Sequence, residues 1–138
     1  MPASEDDLDL VRRSWAAWAA RDMDRVAGTW DPDIEWDLTR FDEAPPGIVA
    51  RGVEEVMGLM VQWMASWRAY EVTPERIEPA AGAGEVFVVV RRRARTRGTD
   101  SPADRVAAQL WTLRDGRVRR IRSFSDLDEA RREAGLAA

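Results

Sequence analysis

The chain contains no histidine, no cysteine and no lysine, and it has a single tyrosine. Each absence removes a chemistry. Without cysteine or histidine there is no ordinary zinc site, no thiolate nucleophile and no Ser-His-Asp triad. Without lysine there is no Schiff base and no Walker A loop. Long apolar runs are also missing, so no membrane span is expected. The acidic start Ser4-Glu5-Asp6-Asp7 is the reverse of a secretory leader, which makes a cytoplasmic address the expectation.

What is present narrows the field further. All 21 basic residues are arginine, set against 25 Asp plus Glu, for a net charge of -4. That balance argues against a general nucleic-acid binder, whose phosphate contacts need a positive face. Neither a metal nor a cofactor is called for. Seven tryptophans among 138 residues supply a core of large flat side chains. Carboxylate, amide, hydroxyl and guanidinium chemistry inside an aromatic pocket is what remains.

Periodicity orders the elements. Ser4 and the acidic turn after it start a helix, with Leu8, Val11, Trp15, Trp18 and Ala19 on one face. Val26, Ala27 and Trp30 predict a short second helix that Asp31-Pro32 stops. Ile34, Trp36 and Leu38 alternate with Glu35, Asp37 and Thr39, the period of a strand. Residues 40 to 52, with Pro45-Pro46-Gly47, read as a long loop. Val53, Val56, Met57, Met60, Met64 and Trp67 predict the longest helix, with Leu59 and Trp63 turned to another surface. Four strands follow: 70–79, broken by Pro74 and therefore bulged or at an edge, then 85–97, 105–114 and 117–124. Asp115-Gly116 marks a hairpin. Ser125 and Asp128 cap a last short helix that ends at Gly135.

This order, with Asp22-Met23-Asp24-Arg25-Val26, Asp33-Ile34-Glu35-Trp36-Asp37, Gly52-Val53-Glu54-Glu55-Val56 and the run Leu110 to Val118, resembles the nuclear-transport-factor-2-like superfamily. Within it, the closing stretch Phe124-Ser125-Asp126-Leu127-Asp128-Glu129-Ala130 is similar to the SnoaL-like polyketide cyclases. The resemblance covers nearly the whole chain, 1–138, as one domain. It implies an α+β fold: a cone-shaped α+β barrel, a strongly curved antiparallel sheet wrapped around a long helix. The superfamily mixes isomerases, cyclases, hydrolases, dehydratases and binding modules, so the fold alone does not name a reaction.

Two residues are catalytic candidates by this resemblance. Asp37 falls where ketosteroid isomerases place their general base, and burial beside Trp36 and Phe41 would make it a stronger one. Its other reading is a solvent-facing carboxylate on the polar side of a strand. Gln109 interrupts an apolar stretch and falls where the isomerases stabilise an oxyanion, or else it lies on the outer sheet face. The chain departs from both enzyme groups: Ser14 and Trp15 stand near the isomerases' tyrosine, and the cyclases' histidine is absent.

Trp15, Trp18, Trp36, Phe41, Met60, Met64, Trp67, Trp111 and Phe124 are the candidate pocket wall, and equally a plain core. In the run Arg91 to Arg97, the alternate arginines read as a solvated strand end balanced by Glu75, Glu78 and Glu85. Arg92 instead shares a face with Val86, Val88 and Val90, where it could clamp an anion at the cavity mouth. Three functions stay open. One is a cofactor-independent isomerase or cyclase acting on a hydrophobic carbonyl compound. Another is a non-catalytic binding module for a small apolar ligand, and the third is a dimerising structural domain. A homodimer through the outer sheet face is expected, because Phe87, Leu110 and Val118 cannot all point inward.

Overall fold

The computed structural model describes residues 3–136. Helices α1 (Glu5–Ala19) and α2 (Met23–Gly28) lead into strand β1 (Trp30–Arg40) and the short β2 (Val49–Arg51). Helix α3 (Val53–Ala65) precedes β3 (Trp67–Pro79), β4 (Glu85–Thr96), β5 (Arg105–Arg114), β6 (Arg117–Phe124) and helix α4 (Leu127–Glu133). The six strands form one curved, unclosed sheet in the order β2-β1-β6-β5-β4-β3. No helix among the described residues is long and apolar enough to cross a membrane.

Local chemistry explains most boundaries. Ser4 Oγ accepts from Asp7 N at 3.2 Å while Asp7 Oδ2 accepts from Ser4 N at 3.1 Å, a reciprocal box that closes the start of α1. Asp115 and Gly116 adopt φ of 53° and 73°, the two left-handed residues that a tight turn between twisted strands requires. Pro74 sits on the edge strand β3, and the β3–β4 register shifts between Pro74 and Arg76, so its missing N–H costs no ladder bond.

Several expectations are corrected. The sheet is mixed: β1 runs parallel to β6, and only the other neighbours are antiparallel. Trp30 opens β1 instead of closing a helix, and Pro32 is accommodated where the β1–β6 register shifts between Trp30 and Glu35. Part of the loop 40–52 is strand, because Val49, Ala50 and Arg51 pair with Asp37, Trp36 and Glu35. The longest helix is α1, with 15 residues against 13 in α3. Asp126, not Ser125 with Asp128, caps α4, accepting from Asp128 N and Glu129 N.

The core has two compartments, one on each face of the sheet. On the inner face, α1, α2 and α3 pack Val11, Val26 and Val56 against Val86, Val88, Trp111 and Ile121. On the outer face, α4 lays Ala130 and Ala134 over Phe87, Ala108, Leu110 and Phe124. The helices therefore do not all lie on one face. Phe87 and Leu110 are fully buried beneath α4, and Val118 is buried in the inner compartment. Phe87, Leu110 and Val118 therefore supply no exposed apolar surplus of the kind from which a sheet-face dimer was expected.

Candidate functional site

Strand alternation decides what faces the interior. Inward from β1 point Trp36 and Leu38, from β4 Val90 and Arg92, from β5 Arg105, Ala107 and Gln109, and from β6 Ser123. With Phe41, Leu59, Trp63, Tyr70 and Val72 they enclose a cavity of about 470 Å³. A narrower extension of about 70 Å³ runs towards α1 and is lined by Ser14, Trp15, Trp18, Trp30, Met60 and Trp111. Trp36, Trp63, Tyr70, Val72 and Gln109 border both.

Three polar groups of this interior share one pattern. Trp111 Nε1 donates to Gln109 Oε1 at 2.8 Å, Trp36 Nε1 to Ser123 Oγ at 3.0 Å, and Trp63 Nε1 to Tyr70 Oη at 3.1 Å. An indole nitrogen can only donate, so each partner is forced to be the acceptor. Gln109 must therefore turn its carbonyl to Trp111 and its NH2 away, which fixes an amide orientation that is otherwise ambiguous. Ser123 and Tyr70 likewise keep their own O–H hydrogens, and no acceptor among the described residues takes any of the three. Burial pushes the Tyr70 hydroxyl pKa up, against the smaller opposing effect of the Trp63 bond, so it stays a protonated donor. Nε1 of Trp15 and Trp18, at the narrow end, also lacks an acceptor among the described residues.

Neither lining includes a carboxylate. Asp37, the expected base, lies on the outer face, and its neighbours Trp36 and Leu38 take the inner one. Its Oδ1 accepts from Thr39 N at 2.9 Å and from Thr39 Oγ1 at 2.6 Å, and its Oδ2 accepts from Arg120 Nη2 at 3.0 Å. Burial alone would raise the Asp37 pKa, but the Thr39 and Arg120 bonds outweigh it and hold the carboxyl below its ordinary value. A base so stabilised as its anion is a weak one. Asp37 and Gln109 do not converge.

Arg92 faces the interior as the alternation implied, but not as a free clamp. Its side chain is 10% exposed and held by three partners. Nε donates to Ala103 O at 3.0 Å, Nη1 and Nη2 grip Glu43 Oε1 and Oε2 at 2.5 and 3.1 Å, and the guanidinium lies 4.7 Å from the Trp67 ring centroid. Arg105, its register partner on β5, donates to Glu43 Oε2 at 2.6 Å and to both carboxylate oxygens of Asp42. Burial pushes the Glu43 pKa up, and the bonds from Arg92 and Arg105 pull it further down, so Glu43 is held ionised. Asp42 and Glu43 were not candidates in the sequence. They sit in the β1–β2 connection, where no periodicity marks a residue's direction.

Of the expected wall, Trp15, Trp18, Trp36, Phe41, Met60 and Trp111 line the cavity. Phe124 belongs to the outer compartment under α4. Trp67 is set back from the cavity, its ring 5.7 Å from that of Trp63. Met64 Sδ takes a hydrogen bond from Arg21 and lies outside the lining. Trp63 and Leu59, read as facing elsewhere, line the wide cavity instead. The other arginines of the run are surface groups: Arg91 pairs with Glu75 and Arg97 donates to Ala65 O at 2.8 Å.

The SnoaL-like domain model matches residues 11–121. The chain belongs to the SnoaL-like domain family. An uncharacterised protein of Mycobacterium tuberculosis is 33% identical over 119 residues, covering 86% of this chain and 87% of that one. Among solved structures, a SnoaL-like polyketide cyclase assignment from Jannaschia sp. CCS1 superposes with a TM-score of 0.74 at 20% identity, covering 100% of this chain and 97% of that one. TerC co-crystallised with polyporic acid gives 0.73 at 18%, covering 94% and 98%. A Mycobacterium tuberculosis protein in complex with estradiol-17beta-hemisuccinate gives 0.72 at 18%, covering 89% and 95%. At these identities the likeness is one of fold.

Proposed function

We propose that this SnoaL-like protein binds an apolar, carbonyl-bearing small molecule without transforming it by acid–base chemistry. The observation that carries the reading is the set of indole-locked donors. Trp111, Trp36 and Trp63 each occupy the acceptor of a neighbour and so leave Gln109, Ser123 and Tyr70 as donors bordering the same space. Donors without an internal acceptor in an apolar chamber match a ligand that brings acceptors of its own. A volume of about 470 Å³ falls within the range of ordinary small-molecule sites. Proton abstraction beside a carbonyl would need a base in the chamber; the lining contains no carboxylate, and Glu43 behind it is held as a weakly basic anion by Arg92 and Arg105. Two solved relatives in fold hold polyporic acid and an estradiol hemisuccinate, which accords with a chamber for large apolar molecules.

The test compares 2-acetylnaphthalene with 2-ethylnaphthalene, which lacks the carbonyl oxygen, by titration of tryptophan fluorescence. One or two gained hydrogen bonds make the ketone bind about tenfold tighter. Equal affinities would overturn the carbonyl assignment. Absence of saturable quenching by either probe would overturn binding itself.

A further inference from the structure

We propose that Arg92 and Arg105 form a carboxylate-binding subsite in the wide cavity, and that Glu43 is its exchangeable resident. The ligand is then an elongated apolar acid. This inference rests on the small-molecule reading above and adds the ligand's charge and length.

The argument starts from how unequally the three partners are held. Arg92 and Arg105 stand on neighbouring strands in direct register. Arg92 is fixed by Ala103 O and packs over Trp67, and Arg105 packs over Phe41 with its guanidinium 5.3 Å from that ring. Glu43 comes from a connection between strands, and among the described residues its side-chain oxygens bond only to these two arginines. Arg92 is therefore pre-organised on the sheet, and the connection beside it is anchored by Asp42, whose carboxylate stays on Arg105 and whose N–H donates to Ser125 Oγ, so the exchange moves the Glu43 side chain alone.

Charge accounts for why the fork holds a carboxylate. An Arg92 side chain 10% exposed would be an uncompensated buried cation without a carboxylate beside it. A ligand carboxylate can replace Glu43 one for one, conserving charge and hydrogen-bond count, while Glu43, 26% exposed, moves out into water. The direct terms then nearly cancel, and burial of the ligand's apolar body against the tryptophan wall decides the exchange.

Length follows from the strand. Arg105, Ala107 and Gln109 all face the cavity from β5. Four residues at a rise of about 3.4 Å separate the arginine from the amide donor by roughly 14 Å along the strand. An acid whose carboxylate and carbonyl lie at opposite ends of its apolar skeleton reaches both.

The test uses 4-(pyren-1-yl)butanoate and its methyl ester, read by energy transfer from tryptophan to pyrene. In Glu43→Gln, which lacks the competing carboxylate, the acid is expected to bind about tenfold tighter than in wild type, with the ester unchanged. In Arg105→Gln the acid is expected to weaken about tenfold, again with the ester unchanged. This second variant decides the matter if Glu43→Gln does not fold. Acid and ester responding alike in the folded variants would overturn the subsite while leaving the chamber intact. If neither compound binds the wild-type protein, the small-molecule reading fails and takes the subsite with it.

Discussion

Asp37 and Gln109 lie on opposite faces of one sheet, the first bonded to Thr39 and Arg120 outside, the second to Trp111 inside. No rearrangement short of slipping β1 by one residue would bring the carboxylate to the amide, and that slip would expose Trp36.

The placement of Asp37 makes its removal a matter of stability. Asp37→Asn is expected to lower unfolding free energy by about 1 kcal/mol at pH 7, because the amide cannot accept as strongly from Thr39 and Arg120. Binding of apolar ligands should be unchanged. Urea denaturation and the fluorescence titration together check both halves.

Gln109 offers a pair of substitutions that separate its two roles. Gln109→Leu strips the acceptor from Trp111 Nε1 and should destabilise by about 1–3 kcal/mol, the cost of an unpaired buried donor. Gln109→Glu retains that acceptor but loses the NH2. The fold should hold, while affinity for 2-acetylnaphthalene falls about tenfold and that for 2-ethylnaphthalene does not.

Phe124 is 1% exposed in the compartment under α4. Phe124→Ala should cost about 3–5 kcal/mol of stability, yet leave ligand quenching unaltered below the melting transition. A wall residue would show the opposite balance.

Acid titration should show one limb. Asp37 and Glu43 both have carboxyl pKa values held below the ordinary one in the folded chain. Their stabilisation is complete above about pH 4–5, the unfolded value, and drains away as pH falls through the lowered folded values. With no histidine, no side chain has an ordinary pKa between 5 and 8, so the melting temperature should be level there. Melting curves from pH 2.5 to 8 check this, and Glu43→Gln should flatten the acid limb.

The strand containing Asp37 was legible in the alternation of Ile34, Trp36 and Leu38, which sets Asp37 opposite those three but does not by itself say which face looks inward. Three large apolar side chains on one parity claim the interior and leave Asp37 outside. The resemblance to isomerases pulled the other way, and the local pattern was the better guide. Arg92 was legible on the same logic, since it continues the parity of Val86, Val88 and Val90. Glu43 was not. Its partner lies 49 residues away, and its direction is set by a connection whose turns leave no repeating mark. Trp63 was misjudged because helix spacing gives a face but not which neighbour occupies it. Once β1 and β3 curve around α3, that second face looks into the chamber.

The outer compartment has a consequence for descent. Phe87, Leu110 and Phe124 are fully packed on the side of the sheet away from the chamber, and their stabilising contribution is independent of what the chamber holds. Lineages sharing this layout can exchange wall residues on the inner face, and with them their ligands, while the same outer anchor keeps each intermediate above the threshold for folding. A void on one face is tolerable over evolutionary time because Phe87, Leu110 and Phe124 are packed on the other.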